Sequence, residues 1–262
     1  MKLITLFFLA ALSFGFANVT PISPTLLDIK ADYHGLAAAG SQAELVELWK
    51  ANEAMVLSTI DQDLEGSLAL WEEAQLTNPG QPLSAEAAQK VAELSERALF
   101  GAQAASLAFD RPIFSDYASA FLSWTPDNKR DFRAGQAAFG EAVKAIRAGE
   151  FETTREQGER CTELALPLGD WWGAAMGLGI SGAAYLELDS PEKALGNLSQ
   201  ARLLNQALGL KGSELRNLDA MLGCLEKLGH KPRAAQVCRT LVASTDGEQR
   251  AEYESRLAEL TK

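Results

Sequence analysis

The chain has 262 residues, 47% of them hydrophobic, and a formal charge of −11 with two histidines and three cysteines. That length allows one large domain or two small ones with a sizeable core. The acidic balance and the lack of a long basic run exclude nucleic acid as a partner, because neutralising phosphates takes clustered Lys and Arg. A surface for basic partners is permitted but not required. Ala and Leu dominate while Val, Ile and Thr are few, which favours helix over strand. No alternating strand pattern is found, so the fold class expected is all-α.

The chain opens MKLITLFFLAALSFGFANVT. One Lys precedes an apolar run from Leu3 to Ala17, and Gly15 and Ala17 stand at the −3 and −1 positions of a cut after Ala17. That is the layout of a secretory signal peptide over 1–17. The run is shorter than the roughly 20 residues a membrane span needs. The expectation is an exported chain starting at Asn18, periplasmic or secreted, with no transmembrane span after cleavage.

Residues 18–130 read as an N-terminal helical region. His34 lies in its first helix with no His or Cys nearby. Asp61, Asp63 and Glu65 alternate like a calcium loop, but the glycine follows at once and no glutamate closes the pattern. A solvated helix start accounts for these charges, and Glu72-Glu73 reads as a wet helix face. The loop TNPGQPLS (77–84) ends in Ser84, an N-cap for the long helical stretch that follows. Val91, Leu94, Ala98 and Leu99 share one stripe of that helix. PIFSDYASAFLSW, between Pro112 and Pro126, reads as a buried aromatic helix.

The second half repeats. AFGEAVKAIRAGEFETTREQGERC, LGISGAAYLELDSPEKALGNLSQA and LDAMLGCLEKLGHKPRAAQVCRTL begin at 138, 178 and 218, a shift of 40 residues each time. Each carries a helix, a break at Gly149, Asp189 or Gly229, and a second helix. Leu168-Gly169 and Leu208-Gly209 close the second helices. Such a period indicates a solenoid of stacked helical hairpins.

The middle copy, with Leu178, Ser181-Gly182, Tyr185, Ala194, Leu198 and Ala201, resembles a tetratricopeptide repeat of the longer, about 40-residue variety. The third copy gives Leu218, Met221-Leu222, Leu225, Ala234, Cys238 and Leu241. The first gives Ala138, Glu141-Ala142, Ala145, Thr154, Gly158 and Cys161. Ser181 departs from the large apolar residue of the pattern, and Leu222 from its small one. The resemblance implies an α-α superhelix over 131–245, closed by a capping helix in 246–262 with Tyr253, Leu257 and Leu260 inward. It also suggests a diverged repeat at 41–79, with one helix around 41–60 and another at 64–79. Gly182 would sit at a close helix crossing opposite Ala194, and Gly169 would end a helix in the left-handed region. Gly177 and Gly179 suit the close approach of a ligand or another backbone.

Carried over position by position, the concave face would show Gln136, Phe139, Val143 and Arg147. Met176, Gly179, Ala183 and Glu187 would follow, then Arg216, Asp219, Glu226 and Lys227. Its middle is small and apolar and its flanks charged, which suits an extended peptide or a helix. Trp171 and Trp172 point about 100° apart along a helix, so one is expected in the core and the other as a contact residue. Cys224 and Cys238 lie on opposite arms of one hairpin, about equally far from its turn. A bridge is allowed if their Cα atoms come within about 7 Å, the alternative being two small buried apolar residues. Cys161 is expected buried and reduced.

No HExxH, phosphate loop, dinucleotide-binding glycine pattern or Gly-x-Ser-x-Gly is found, so no metal or cofactor is expected. His230 reads as an exposed turn residue. The leading expectation is a non-enzymatic, exported helical-repeat scaffold or assembly adaptor that binds another protein or a peptide. The alternative is a carrier of a small apolar ligand, held in a cavity between the N-terminal helices and the repeats. Phe114, Tyr117, Phe121, Trp124, Trp171 and Trp172 would line that cavity.

Overall fold

The computed structural model of the chain describes residues 26–262. The leader expected at 1–17, with its cut after Ala17, lies outside the described residues. Among the described residues there are twelve helices and no strand. None of these helices is long and apolar enough to cross a membrane.

Five helices form an N-terminal bundle: α1 (Leu26–Ala38), α2 (Gln42–Ala51), α3 (Glu53–Thr77), α4 (Ala85–Phe109) and α5 (Ile113–Leu122). Ser84 caps α4, its hydroxyl accepting from the Ala87 N–H, as its place before the apolar stripe predicts. The bundle core is built of large side chains, with Tyr33, Trp49, Phe114 and Tyr117 at most 1% exposed. Gly101 meets two of them. The Trp49 indole donates to its carbonyl at 3.0 Å, and a Cβ there would stand 2.8 Å from the Tyr33 ring.

Two expectations fail in the bundle. The region 41–79 is not a hairpin with a break near 60. Asn52 alone separates α2 from α3, and α3 then runs unbroken for 25 residues, because no Gly or Pro interrupts it before Gly66. Asp63 is not at a solvated helix start either. It is buried in the middle of α3, where Arg97 holds it through two hydrogen bonds of 2.7 and 2.8 Å. The Tyr33 hydroxyl lies 3.0 Å from the same carboxylate. His34 stands 3.6 Å from it, so the histidine without a sequence neighbour has one in space.

The rest of the chain is a stack of hairpins: α6 (Pro126–Ala148) with α7 (Phe151–Leu168), α8 (Trp171–Glu187) with α9 (Pro191–Ala207), and α10 (Lys211–Lys227) with α11 (Lys231–Ser244). Each helix packs on the next, giving the expected all-α superhelical stack. The turns repeat in conformation as well as in spacing. Gly149, Asp189 and Gly229 have φ of 77°, 54° and 69°, and Gly169 and Gly209 have 68° and 72°. Asp189 takes the left-handed region without being glycine, as Asp tolerates better than most residues. The closing helix α12 (Gly247–Leu260) buries no residue of its own but lays Tyr253, Leu257 and Leu260 against the α10–α11 core.

Small residues set the spacing in the stack. A Cβ on Gly177 would lie 2.7 Å from the Gly158 carbonyl oxygen and 2.8 Å from the Thr162 nitrogen. It is therefore backbone of α7 that approaches Gly177. The atoms nearest the Gly182 Cβ position belong to Leu198, one turn along α9 from Ala194, with Leu198 Cγ at 2.7 Å. Ser181 is buried and satisfied, accepting from Asn197 Nδ2 at 3.0 Å and donating to the Leu178 carbonyl.

Bundle and stack share one hydrophobic core. Leu168 and Leu208, the repeated leucines at the hairpin ends, belong to the same cluster as Trp49 and Phe114. The glycines after them bring the turns close: a Cβ on Gly169 would touch Ala120 at 3.0 Å, and one on Gly209 would touch Glu53 at 2.9 Å. The Trp124 indole donates to the Leu168 carbonyl at 2.9 Å. Arg111 donates to the carbonyls of Gln206 and Ala207 and pairs with Glu53. Helix α3 thus runs along the stack, with Glu53 at the α9–α10 turn and Glu65 and Glu72 at α6, where both bond Arg133.

Candidate functional site

The first helices of consecutive hairpins touch, α6 against α8 and α8 against α10, which places them on the inner curve of the stack. At the end of this inner face that meets the bundle lies a cavity of about 310 Å³. Helix α6 contributes Phe132, Gly135, Gln136 and Phe139, and α7 contributes Cys161. The start of α8 gives Asp170, Trp172, Gly173 and Met176, and the bundle closes it with Asp61 and Tyr117.

Local structure fixes each wall. Asp170 is the N-cap of α8, its Oδ1 accepting from the Gly173 N–H at 2.8 Å. This explains an aspartate between a helix-ending glycine and two tryptophans. Phe132 is held by Phe121 and Trp124, with ring centroids 5.5 and 4.8 Å away. Asp61 sits on the apolar stripe of α3 between Leu57 and Leu64, and the Tyr117 hydroxyl donates to its Oδ1 at 2.6 Å. Gln136 donates to Glu65 and accepts from Arg133, each at 2.6 Å.

The electrostatics are those of carboxylates short of counter-charge. Burial pushes Asp61 up to about 7; Glu65 and Asp170 add to the rise, while the Tyr117 hydrogen bond and Arg133 oppose it. Burial likewise lifts Asp170 to about 6, with the Gly173 N–H opposing and Glu65 adding. Tyr117 is raised well above the phenol range by burial and by Asp61. The Cys161 thiol is pushed up to about 12 by burial and by Asp170. The thiol donates to the Gly173 carbonyl at 3.5 Å. Among the described residues, no Lys or Arg lines the cavity.

Of the face predicted from the sequence, Gln136, Phe139 and Met176 meet at this cavity, joined by Trp172 of the tryptophan pair. Val143 and Gly179 are half-buried, and Arg147 and Glu187 are exposed. Ala183 is not on the surface: it is 8% exposed, because its small side chain is covered where α8 packs between neighbouring hairpins. The charged third of the face is engaged within the chain. Arg256 of α12 holds Asp219 at 3.2 Å and Glu226 at 2.8 Å. Lys227 donates to the Leu186 carbonyl and pairs with Asp189, and Arg216 donates to Ser213.

Trp171 and Trp172 are both half-buried against the bundle core, and only Trp172 lines the cavity. Of the aromatics proposed for a carrier cavity, Phe114, Phe121 and Trp124 are core instead, and Tyr117 alone reaches the site. The Cys224–Cys238 bridge is absent, and all three cysteines are free and buried. Cys224 packs with Leu186, Leu198 and Met221, whereas Cys238 packs with Leu218, Leu222 and Leu225. Successive positions on a helix diverge by about 100°, so the side of α10 that carries Cys224 is turned from the side that meets α11.

Sequence reasoning missed Asp61, Phe132, Gly135, Cys161, Asp170 and Gly173 as site residues. Asp61 had a signal, since Leu57, Asp61, Leu64 and Leu68 keep helical spacing and place a carboxylate on the buried stripe. Comparison with protein-family models, curated proteins and solved structures finds no match.

Proposed function

We propose that this is a non-catalytic binding protein that takes an extended peptide segment of a partner along the inner face of its hairpin stack. One large side chain of that segment enters the cavity at the bundle junction. The carrying observation is the meeting of three residues of the predicted face, Gln136, Phe139 and Met176, with the candidate contact residue Trp172 at one cavity walled by aromatic rings. A mostly apolar cleft with a few convergent polar groups is the usual form of a binding site. The resemblance of 138–245 to tetratricopeptide repeats supports a peptide as occupant. The leader-like start of the chain supports an extracytoplasmic setting.

The cavity volume favours a second reading, a small free ligand, since about 310 Å³ is at the low end of small-molecule sites. One experiment separates the two. A displayed random-peptide library is selected on the wild type and counter-selected on Met176→Trp, which fills the cavity from a half-exposed position. Enriched peptides that lose at least about tenfold in affinity on the variant, roughly one hot-spot side chain, support the peptide reading. No enrichment, together with a small molecule that copurifies with the wild type and is lost from the variant, replaces it with the carrier.

A further inference from the structure

The cavity combines two features that call for one kind of occupant. Its walls include the rings of Phe132, Phe139, Trp172 and Tyr117, and its polar groups include the carboxyls of Asp61 and Asp170. Aromatic faces and carboxylates each attract a cation, and the attraction grows when water is excluded. The guanidinium whose charge acts on Asp61, that of Arg133, is already bonded to Glu65 and Glu72 at 2.7 to 2.9 Å. An anion here would meet carboxylates, and a neutral apolar group would bring no charge to add to the hydrogen bonds they receive from Tyr117 and Gly173.

From this geometry we infer that the cavity receives a basic side chain, arginine or lysine, from the bound segment. The inference rests on the peptide reading for its source. The acidity of the whole chain, −11 in formal charge, would speed the approach of a basic segment. Asp170, fixed by the Gly173 N–H, and Asp61, fixed by the Tyr117 hydroxyl, are positioned before the ligand arrives. The cation therefore meets preorganised acceptors. Because a cation favours ionised carboxylates, its binding releases protons. Asp61 is faced by Tyr117 of α5, Glu65 of its own helix, Asp170 at the start of α8 and Arg133 of α6. Affinity is expected to fall as pH drops from about 8 to about 5.5 and Asp61 takes up its proton.

The test uses n-butylguanidinium and its neutral isostere n-butylurea on the full chain, reading the indole N–H resonance of Trp172, assigned with Trp172→Phe. The cation is expected to shift that resonance at a concentration about tenfold lower than the urea at about pH 8. Asp61→Asn, which keeps an acceptor for Tyr117, is expected to remove that preference. Equal response to both probes, a preference for the urea, or no response to either would overturn the inference. Failure of the two readings is distinguishable. Selected peptides that bind the cavity without enrichment of Arg or Lys leave the peptide reading standing and sink the cation. A butylguanidinium response with no selectable peptide keeps the cationic site and assigns it to a small organic cation.

Discussion

The bundle α1–α5 buries Trp49, Tyr33, Phe114 and a bidentate Asp63–Arg97 pair brought together from distant points of the chain. The stack α6–α11 buries Ala142, Ala174, Ala184, Ala194 and Ala201 and lets helices meet at Gly158, Gly177 and Gly182. Large side chains make a compact body from non-adjacent helices. Small residues let adjacent helices approach and leave an inner face. The site lies where the two plans meet, since Asp61 and Tyr117 come from the first and Phe139, Trp172 and Met176 from the second.

Substitutions should separate the two regions by size of effect. Arg97→Ala strands the Asp63 carboxylate in the bundle core and is expected to cost about 3 kcal/mol, the low end for a broken buried pair because Arg97 is partly exposed. Urea denaturation measures it. A loss below about 1 kcal/mol, the range of surface pairs, would mean that water reaches Asp63. Next comes Leu208→Ala, which removes a fully buried foot of the stack from the bundle core. About 2 to 4 kcal/mol is expected. If the shared core holds the halves together, unfolding followed by Trp fluorescence should separate from unfolding followed by helical circular dichroism, while the wild type shows one transition.

Gly177→Ala gains about 1 kcal/mol of helix propensity but presses a methyl into α7 backbone. A net loss of about 1 to 2 kcal/mol is expected from overpacking. Gly140→Ala, in α6 with nothing within 4 Å of its Cβ position, should gain up to about 1 kcal/mol. The opposite signs, read as melting temperatures, are the content of this prediction, and two gains would contradict the close α7–α8 crossing.

The last effect is at the site and depends on pH. Asp61 is raised in the folded chain to about 7, above the roughly 3.9 of an unfolded aspartate. Between those values the folded state binds more protons. Its contribution to stability is therefore complete below about pH 4 and lost as pH rises through about 7. Asp61→Asn removes this slope. It should melt a few degrees above the wild type at about pH 8 and level with it at about pH 4, by calorimetry.

The stack was legible in the sequence because its contacts are local. The helix-turn-helix spacing and the left-handed turns at 149, 169, 189, 209 and 229 are written at fixed offsets. The small-residue crossing at Gly182 was legible too, although its partner is Leu198. What could not be read is long-range. Asp63 looks solvated until Arg97, Tyr33 and His34 are brought to it from other helices. Leu168 and Leu208 look like helix ends until the bundle covers them. The charges at Asp219, Glu226 and Lys227 looked available because their partners, Arg256 and Asp189, lie 30 or more residues away in the chain. The site was half legible for the same reason, its α6 and α8 walls being local and its bundle wall not.

Site-specific photocrosslinking tests the cavity reading most directly. A benzophenone amino acid replaces Phe139 at the cavity, or the exposed Leu166 on α7, in full-length protein mixed with extract of the cells it comes from. Adducts at 139 that excess n-butylguanidinium suppresses, with none at 166, are the result expected. Adducts at 166 alone, or equal adducts at both positions that the cation leaves unchanged, would contradict it.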